Sequence, residues 1–247
     1  MNAPIKRPLQ FFYGTAPQPC PYLPGRIETK VVTDLSGPDA NAFHDVLSRA
    51  GFRRSHGIAY RPTCPGCSAC VPVRIIVDEF ADSRSLRRVR RANADLTVRE
   101  AAAVATLEQY ALFKRYEQAR HGDGEMAQMT FADYRAMVEE TPVATRLIEF
   151  RDEANALVAV CLTDRLSDGL SGVYKFFDPR RSKGSLGTHV ILWHIDRAAE
   201  LGLPFVYLGY WIAGCRKMTY KARFQPMEAL GPEGWQRFEP AEIDDGD

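Results

Sequence analysis

The alternation of apolar and polar residues predicts a chain that mixes strands and helices, beginning with a strand over residues 26–34. A helix over 38–50 follows, because Pro38 falls in its first turn and Gly51 lies just past its end. The other elements predicted in this half are strands over 57–60, 71–77 and 95–99 and a helix over 84–94.

The second half of the chain has a different order of predicted elements. Helical spacing over 106–121 and 131–139 precedes three successive strands. A turn rich in Gly and Ser then leads into a long helix that ends near Leu201 and into a final strand over 205–210. The three strands cover 145–151, 156–164 and 172–177. This order resembles the acyl-CoA-binding half of GNAT acyltransferases, so we expect an α+β protein with a GNAT-like fold, arranged as tandem GNAT-like halves.

Charge divides the chain into two halves. Residues 1–99 hold 15 Lys and Arg against 8 Asp and Glu, whereas residues 100–247 hold 17 against 23. A basic half on a chain with a net charge of +1 indicates a local anionic partner. The predicted segments are a flexible arm over 1–9 within a basic, cysteine-bearing half over 1–125, a GNAT-like acyltransferase half over 126–238 and an acidic tail over 239–247.

Composition narrows the class of protein. The chain is 45% hydrophobic and 26% charged, which is typical of a globular protein and excludes collagen-like and disordered chains. No run of apolar residues approaches the roughly 18–20 that a membrane helix requires, and the first residues lack the apolar core of a signal peptide. We therefore expect a cytoplasmic protein with no membrane partner.

The stretch C-P-G-C-S-A-C contains two CxxC steps that share a member, and a fourth cysteine precedes it by 44 residues. A tight turn, which Gly66 permits, would point these thiolates at one centre. Disulfides are rare in cytoplasmic proteins, so we predict a structural or regulatory metal centre in this cysteine-rich turn. Zinc and a 4Fe–4S cluster both suit four thiolates. The predicted ligands are Cys20, Cys64, Cys67 and Cys70.

The predicted helix over 84–94 carries four arginines at positions i, i+3, i+4 and i+7, which places them on one face. Guanidinium groups bind phosphate oxygens well, and the run R-S-L-R-R-V-R-R offers them no intrahelical acid. Nucleic acid is one interpretation of this face, and a solvated surface is the other. The four residues are Arg84, Arg87, Arg88 and Arg91.

Two further stretches are suited to a nucleotide end. In R-R-S-K-G-S-L-G, Gly184 and Gly187 would let backbone N–H groups approach a phosphate at the start of the long helix. Its spacing approximates the phosphate loop of GNAT acyltransferases. From Tyr207 to Phe224, aromatic residues alternate with lysines, a pattern that suits base stacking and phosphate pairing. An aromatic core strand with surface lysines is the alternative for this second stretch.

Four stretches together resemble the arginyl/leucyl-tRNA–protein transferase family, over about residues 11–235. The length and the C-x2-C-x2-C form are similar to its bacterial, leucine-transferring branch. The stretches are Y-R-P-T-C-P-G-C-S-A-C-V-P-V-R, S-G-V-Y-K-F-F-D-P, S-L-G-T-H-V-I-L-W and Y-L-G-Y-W-I-A-G-C-R-K-M-T-Y-K-A-R-F.

The resemblance implies transfer of leucine from leucyl-tRNA to proteins that begin with Asp or Glu, which marks them for N-degron degradation. Arginyl transfer by the same chemistry is the alternative. The reaction needs no cofactor, because a deprotonated α-amine can attack the aminoacyl ester directly. It does need hydrogen-bond donors for the oxyanion and a proton for the ribose oxygen that leaves.

Site residues follow from the resemblance together with the chemistry. Lys217 is expected to neutralise the oxyanion or the terminal phosphate, Tyr220 to protonate the leaving oxygen, and Asp178 has turn capping as its alternative role. The catalytic candidates are Tyr174, Asp178, Tyr207, Lys217 and Tyr220. The residues expected at the tRNA are the four helix arginines together with Ser185, Leu186, Gly187 and Thr188.

An acidic acceptor residue calls for a guanidinium fork, because Arg binds carboxylates through two parallel hydrogen bonds. The stretch F-R-R-S-H-G-I-A-Y-R-P, directly before the cysteine turn, supplies such groups. The acceptor-binding candidates are Arg53, Arg54, His56 and Arg61. Surface residues or further tRNA contacts are the alternative for these arginines.

Two interpretations from other classes remain open. A GNAT acyltransferase that uses acyl-CoA would leave the arginine helix without a purpose. A non-catalytic nucleic-acid-binding module with a cysteine metal site would leave the segments Y-K-F-F-D-P and K-M-T-Y-K unexplained.

Overall fold

The computed structural model describes residues 10–122, 124–181 and 184–239, and it mixes helices and strands as predicted. The predicted arm over 1–9 and residues 240–247 of the predicted acidic tail lie outside the described residues. The helices are α1 (Ala40–Arg49), α2 (Arg84–Ala92), α3 (Leu107–His121), α4 (Phe131–Glu139), α5 (Leu186–Glu200) and α6 (Arg216–Thr219), with 3₁₀ turns at Glu125–Gln128 and Tyr220–Arg223. The strands are β1 (Tyr13–Gly14), β2 (Gln18–Pro19), β3 (Ile27–Glu28), β4 (Lys30–Asp34), β5 (Arg53–Ser55), β6 (Ile58–Pro62), β7 (Val71–Ile76), β8 (Thr97–Ala102), β9 (Thr145–Arg151), β10 (Leu157–Arg165), β11 (Gly169–Phe177), β12 (Phe205–Trp211), β13 (Met227–Gly231) and β14 (Gly234–Arg237).

Eight strands form the larger sheet, in the order β14-β13-β7-β12-β11-β10-β9-β8. Neighbouring strands are antiparallel except β11 and β12, which are parallel. Five of the six residues of β7 are buried, because this strand lies inside the sheet and is covered on both sides. The sheet takes β7 and β8 from before residue 125 and β9 to β14 from after it, so strands of both predicted halves share one sheet.

Helices cover both faces of this sheet, and β9 shows how the sequence directs them there. Successive strand residues point to opposite faces, so Leu147 and Ile148 enter different parts of the core. Leu147 packs in one cluster with Phe113 of α3, while Ile148 packs in another with Val190 of α5. Leu86 of α2 joins the α5 side. The protein is therefore layered, with α3 and α4 on one face and α2 and α5 on the other.

A buried ion pair fastens the smaller sheet, of order β1-β4-β6-β5, to the larger one. Arg54 of β5 donates to both carboxylate oxygens of Asp164 in β10, at 2.6 and 2.7 Å. Thr145 of β9 donates to the same carboxylate at 2.7 Å. Arg54 is 4% exposed and Asp164 is fully buried, and breaking such a buried pair by removing one partner costs about 3–5 kcal/mol.

The structure differs from the predicted elements near the N-terminus. The strand predicted over 26–34 is divided at Thr29 into β3, which pairs with β2, and β4, which belongs to the smaller sheet. Among the described residues, no helix combines the length and the apolar character needed to cross a bilayer.

Candidate active site

A cavity of about 680 Å³ opens where the parallel strands β11 and β12 separate. The two strands pair only over residues 169–171 and 205–207. The carbonyl groups beyond this point need other hydrogen-bond donors, since buried backbone polar groups are almost always paired. Residues of α3, of the 3₁₀ turn at Glu125–Gln128 and of the segment 217–221 complete the walls.

Arg53 of β5 supplies hydrogen-bond donors at the point where β11 and β12 separate. Its guanidinium donates to the carbonyls of Gly172 and Val173 in β11 and of Leu208 in β12, each at 3.1 Å. Gly209 follows a shift in the β12 register and has a φ of 73°. The side chain of Arg53 thus holds the two strands apart on one wall of the cavity.

Three lysines line the same cavity. Lys175 of β11 donates to the Gly187 carbonyl at 2.9 Å and lies 5.1 Å from the centre of the Tyr220 ring. Lys221 is 5% exposed and donates to the Tyr210 carbonyl. Burial, followed by the charges of Arg53 and Lys175, holds the pKa of Lys221 well below its ordinary value. Lys217 lies at the exposed end of the site.

A phenol and a carboxylate form another wall. The hydroxyl of Tyr174 in β11 donates to Oε1 of Glu117 in α3. Glu117 is fully buried, and its Oε2 has no hydrogen-bond partner among the described residues. Burial and then this hydrogen bond raise the pKa of Tyr174, so the phenol keeps its proton at neutral pH.

The two other tyrosines predicted to be catalytic line the cavity in different ways. The hydroxyl of Tyr207 donates to Asp168 at 3.1 Å and accepts from Arg74 at 3.0 Å, so its polar group is already engaged. Tyr220 presents its ring to the ammonium of Lys175. Cavity residues predicted from the sequence are therefore Tyr174, Tyr207, Lys217 and Tyr220, together with Arg53.

Asp178, by contrast, lies outside this cavity. It lines a second one of about 440 Å³ with Arg115, Arg180 and Arg181. Its carboxylate accepts from the backbone N–H of Arg180 at 3.0 Å and from the guanidinium of the same residue at 2.7 Å. Hydrogen bonds from Arg180 also lower the pKa of Asp178. The structure therefore places Asp178 away from the other catalytic candidates, in a position that suits its alternative role, that of capping the turn after β11.

The acceptor-binding candidates other than Arg53 also lie away from the cavity lining. Arg54 is held in the buried pair with Asp164, which leaves its guanidinium unable to meet a ligand. Arg61 donates to the Ala50 carbonyl at 2.8 Å. His56, with a φ of 51°, forms the turn between β5 and β6. A guanidinium fork for the acceptor carboxylate is thus not assembled from these residues.

The arginines of α2 lie on one exposed face, as their spacing predicts. Leu86 and Val89 are buried on the opposite side of the helix, and Arg90 is paired with Asp82 and Asp196. The described residues offer no ion pair to any of the remaining arginines of this helix. Those exposed residues are Arg84, Arg87, Arg88 and Arg91.

The turn at the start of α5 lies beside the end of α2. Asn93, which follows α2, donates its side-chain N–H to the Gly184 carbonyl at 2.6 Å. Ser185 adopts a left-handed conformation with a φ of 45°, and Leu186 and Thr188 are buried. Among the described residues of this turn, the exposed Ser185 and the backbone groups are therefore the ones available to a phosphate. The two groups of residues predicted to bind tRNA occupy neighbouring elements.

The four predicted metal-binding cysteines lie near one another. The backbone N–H of Cys67 donates to the Cys64 carbonyl at 3.2 Å, which closes the tight turn. Burial, then the charges of Cys20 and Cys64, raise the pKa of the Cys70 thiol to about 11. Cys70 also packs against the cluster of Tyr210, whose side chain borders the cavity.

Their side chains as placed do not form a ligand set. Across the described ranges, no group of three or more His, Cys, Asp or Glu side chains could hold a metal ion. The Cys67 thiol instead has its pKa lowered by the backbone N–H of Ala69, while the Cys64 thiol faces the Thr29 carbonyl at 3.6 Å. The shared metal centre stays a prediction.

Sequence reasoning did not single out Glu117 and Lys175, and it included Lys221 only as part of the aromatic and lysine-rich stretch over 207–224. The segments Y-K-F-F-D-P and K-M-T-Y-K-A-R-F contain both lysines, and their density of cations was the available signal. Glu117 lies on a helix whose apolar stripe weakens toward its C-terminal end. Nothing in the local sequence indicates that this one acid is fully buried.

The family models and the sequence relatives that match this chain agree on one protein family. The family model described as "Arginine-tRNA-protein transferase, C terminus" matches residues 108–231, and its N-terminal counterpart matches residues 18–88. A protein of Paramagnetospirillum magneticum named aspartate/glutamate leucyltransferase is 56% identical over 97% of this chain and 98% of its own length. One of Rhodospirillum rubrum with the same name is 56% identical over 96% and 97%.

The structural similarity to solved proteins is weaker than the sequence similarity to these relatives. L-PGS from Bacillus licheniformis has a TM-score of 0.47 at 13% identity, over 61% of this chain and 49% of that one. FemX has a TM-score of 0.47 at 10% identity, over 77% and 65%.

The sequence relatives cover nearly the whole chain and nearly the whole of their own lengths, and both halves of the family are matched. The family predicted from the four motifs, and the enzyme class of aminoacyltransferase, are therefore confirmed. The chain belongs to the arginine-tRNA–protein transferase family, among relatives that carry the name aspartate/glutamate leucyltransferase.

Proposed function

We propose that this aminoacyltransferase moves leucine from leucyl-tRNA to the N-terminal amine of proteins that begin with Asp or Glu. The names of its relatives support the donor and the acceptor. The observation that carries the proposal is the cavity between β11 and β12, which combines cations, phenols and one buried carboxylate. Such a site can bind an anionic nucleotide end, stabilise an oxyanion and handle the protons of an amine.

In this proposal the tRNA approaches over α2 and the start of α5. Arg84 and its three exposed neighbours on that helix would contact phosphates, and the backbone of residues 185–188 would hold the terminal nucleotide region. Asn93, which joins the two elements, supports this arrangement. Because the reaction uses charged tRNA, we place it in the cytoplasm.

The transfer itself would occur within the cavity. Lys217 stabilises the oxyanion or the terminal phosphate, and Tyr220 protonates the ribose oxygen as the ester bond breaks. Arg53 donates to three carbonyls, so its role is to shape the cavity rather than to bind the acceptor. Lys175, which lines the same cavity, is then the cation we assign to the acceptor carboxylate. No cofactor takes part in these steps.

The fold and the cysteine turn extend the proposal. Three antiparallel strands, α5 and a parallel strand that separates from its neighbour support a GNAT-like acyltransferase half. The smaller sheet with α1 is then a candidate for the second half. Zinc or a 4Fe–4S cluster on Cys20, Cys64, Cys67 and Cys70 would stabilise this turn beside the cavity. Anaerobically purified protein that contains neither zinc nor iron would contradict the cysteine centre.

The first test of the function is a mass measurement. The protein is incubated with charged total tRNA and a peptide that begins with Asp, and the peptide is expected to gain the mass of one leucyl residue. Acyl-CoA in place of tRNA should yield no product. A peptide that stays unmodified with tRNA, or that is acylated by acyl-CoA, would contradict the proposal.

A further inference from the structure

Glu117 is a fully buried acid on the wall of a cavity whose other fixed charges are mostly positive. Its Oε1 accepts the hydroxyl hydrogen of Tyr174. Its Oε2 has no hydrogen-bond partner among the described residues. A buried carboxylate oxygen without a partner is costly, so Oε2 of Glu117 is well suited to take up a proton or to accept a hydrogen bond.

The direction of the hydrogen bond between Glu117 and Tyr174 determines what the phenol can do. A phenol has one hydroxyl proton, and Tyr174 uses it to donate a hydrogen bond to the Glu117 carboxylate. Tyr174 lines the cavity, and its phenol oxygen can still accept a hydrogen bond but has no second proton to donate. This wall suits an N–H group and does not suit an oxyanion or a leaving oxygen.

The charges around the pair favour an amine at this wall. Lys175, Lys217 and Lys221 supply positive charge to other parts of the cavity. The titratable groups near the pair are Tyr116 and Arg120 on α3, Tyr220 across the cavity and Lys175 beside Tyr174 in β11. Glu117 is the buried acid among them. The anionic groups of the substrates would therefore bind near the lysines, and the amine would bind near Glu117.

We propose that Tyr174 accepts a hydrogen bond from the attacking α-amine of the acceptor protein and relays a proton to Glu117. This rests on the proposed function. As the amine nitrogen bonds to the leucyl carbonyl carbon, one N–H proton passes to the Tyr174 oxygen while the phenol proton passes to Glu117. The ester C–O bond then breaks, Tyr220 protonates the ribose oxygen, and exchange with water returns Glu117 and Tyr220 to their starting states. Tyr174 is the catalytic residue, and Glu117 positions it and holds the proton.

The test compares Glu117→Gln and Tyr174→Phe with the wild type in single-turnover transfer from leucyl-tRNA. Both changes keep the size of the side chain, and the Tyr174 variant preserves the ring packing against Phe113 and Phe176. We expect each variant to lose about 100-fold or more in rate at pH 7, the usual contribution of a general base. The affinity for leucyl-tRNA should stay within about twofold of the wild type, and the double variant should lose little more, since the two residues act as a unit.

Two readouts separate this relay from a structural role. The rate deficit of Glu117→Gln should shrink as the pH rises from 7 to 9, because hydroxide then removes the amine proton; a purely structural defect would be constant with pH. Glu153→Gln removes an exposed carboxylate in the turn between β9 and β10, outside the cavity lining, and serves as the matched control. It should transfer leucine at the wild-type rate.

N-acetylleucyl-tRNA distinguishes the amine of the acceptor from that of the donor. If the relay serves the amine of the acceptor, Glu117→Gln will reduce the transfer rate by the same factor with N-acetylleucyl-tRNA and with free leucyl-tRNA. A loss confined to free leucyl-tRNA would place the donor ammonium at Glu117 and overturn the inference. If the wild type is active and Glu117→Gln transfers leucine equally fast, the relay is wrong but the proposed function stands. If the wild type transfers no leucine, the proposed function is contradicted as well.

Discussion

The guanidinium of Arg53 occupies the space that a side chain at position 209 would need. A Cβ atom built on Gly209 would lie 1.4 Å from Nη1 of Arg53. The glycine allows both the positive φ of 73° and the entry of the guanidinium between β11 and β12. The cavity therefore depends on a residue with no side chain at this point of the sheet.

Gly209→Ala should destabilise the protein by about 2.5–5 kcal/mol. The positive φ alone costs an alanine about 1–2 kcal/mol, and the methyl group also expels a guanidinium whose hydrogen bonds are worth about 1.5–3 kcal/mol. Urea unfolding of the purified variant measures this loss. Transfer activity should fall with it, because Arg53 would no longer hold the strands apart.

Gly202→Ala is the matched control for this change. Gly202 has a φ of 64°, but a Cβ atom there would meet nothing within 4 Å. Gly202→Ala should therefore lose only the roughly 1–2 kcal/mol of backbone strain. Equal losses in the two variants would show that the contact with Arg53 is unimportant.

Charge reversal on α2 should weaken tRNA binding without changing which N-terminal residues the enzyme modifies. Arg87 and Arg88 are exposed, and each phosphate contact that is lost should reduce the slope of log affinity against log salt by roughly 0.7–0.9. The measurement is leucyl-tRNA affinity for Arg87→Glu/Arg88→Glu across a series of salt concentrations.

Arg135→Glu/Arg146→Glu provides the control for that experiment. Both residues are exposed, and they lie on α4 and β9. This variant has the same net charge as the α2 variant, so a general loss of attraction would affect the two equally. The proposed tRNA surface predicts a large change for α2 and a small one here. Unchanged affinity and salt slope after reversal on α2 would exclude that helix.

His194 makes stability depend on pH. Its Nδ1–H donates to the Val190 carbonyl at 2.6 Å, and its Nε2 lies 2.8 Å from the Thr163 hydroxyl. Burial lowers the pKa of His194 to about 4, so the ring is neutral at pH 7 and its Nε2 accepts from that hydroxyl. Below pH 6.5 the unfolded chain binds a proton that the folded protein excludes, so stability falls as the pH drops from about 6.5 toward 4.

Between pH 7.5 and pH 5, the wild type should lose about 2 kcal/mol more stability than His194→Gln. Urea unfolding of both proteins at the two pH values gives this difference, whatever the substitution costs at neutral pH. The same pH dependence in both proteins would assign the effect to other groups.

Local sequence patterns were sufficient for the elements with strong periodicity. The strands β9, β10 and β11 and the long helix α5 come from continuous segments rich in apolar residues, and they lie close to where the sequence predicts them. The edge hairpin of β13 and β14 was not predicted, because M-E-A-L-G and G-W-Q-R show no clear alternation. Its position beside β7 depends on contacts between distant parts of the chain.

The site shows the same division between local and tertiary information. Motif resemblance singled out Tyr174, Lys217 and Tyr220, which line one cavity, because these residues and their neighbours form continuous segments. It also singled out Arg54 and Asp178, which lie outside that cavity and whose charges are paired within the fold with Asp164 and Arg180. A sequence shows which residues carry charge, but it does not show which of those charges the fold itself neutralises.

The central claim concerns which amino acid moves and which N-terminus receives it. The most direct measurement offers leucyl- and arginyl-tRNA together to the protein, with peptides that begin with Asp, Glu, Lys and Arg, and follows every peptide by mass. The account predicts that leucine is added to the Asp and Glu peptides. Addition of arginine, or preferential modification of the Lys and Arg peptides, would contradict it.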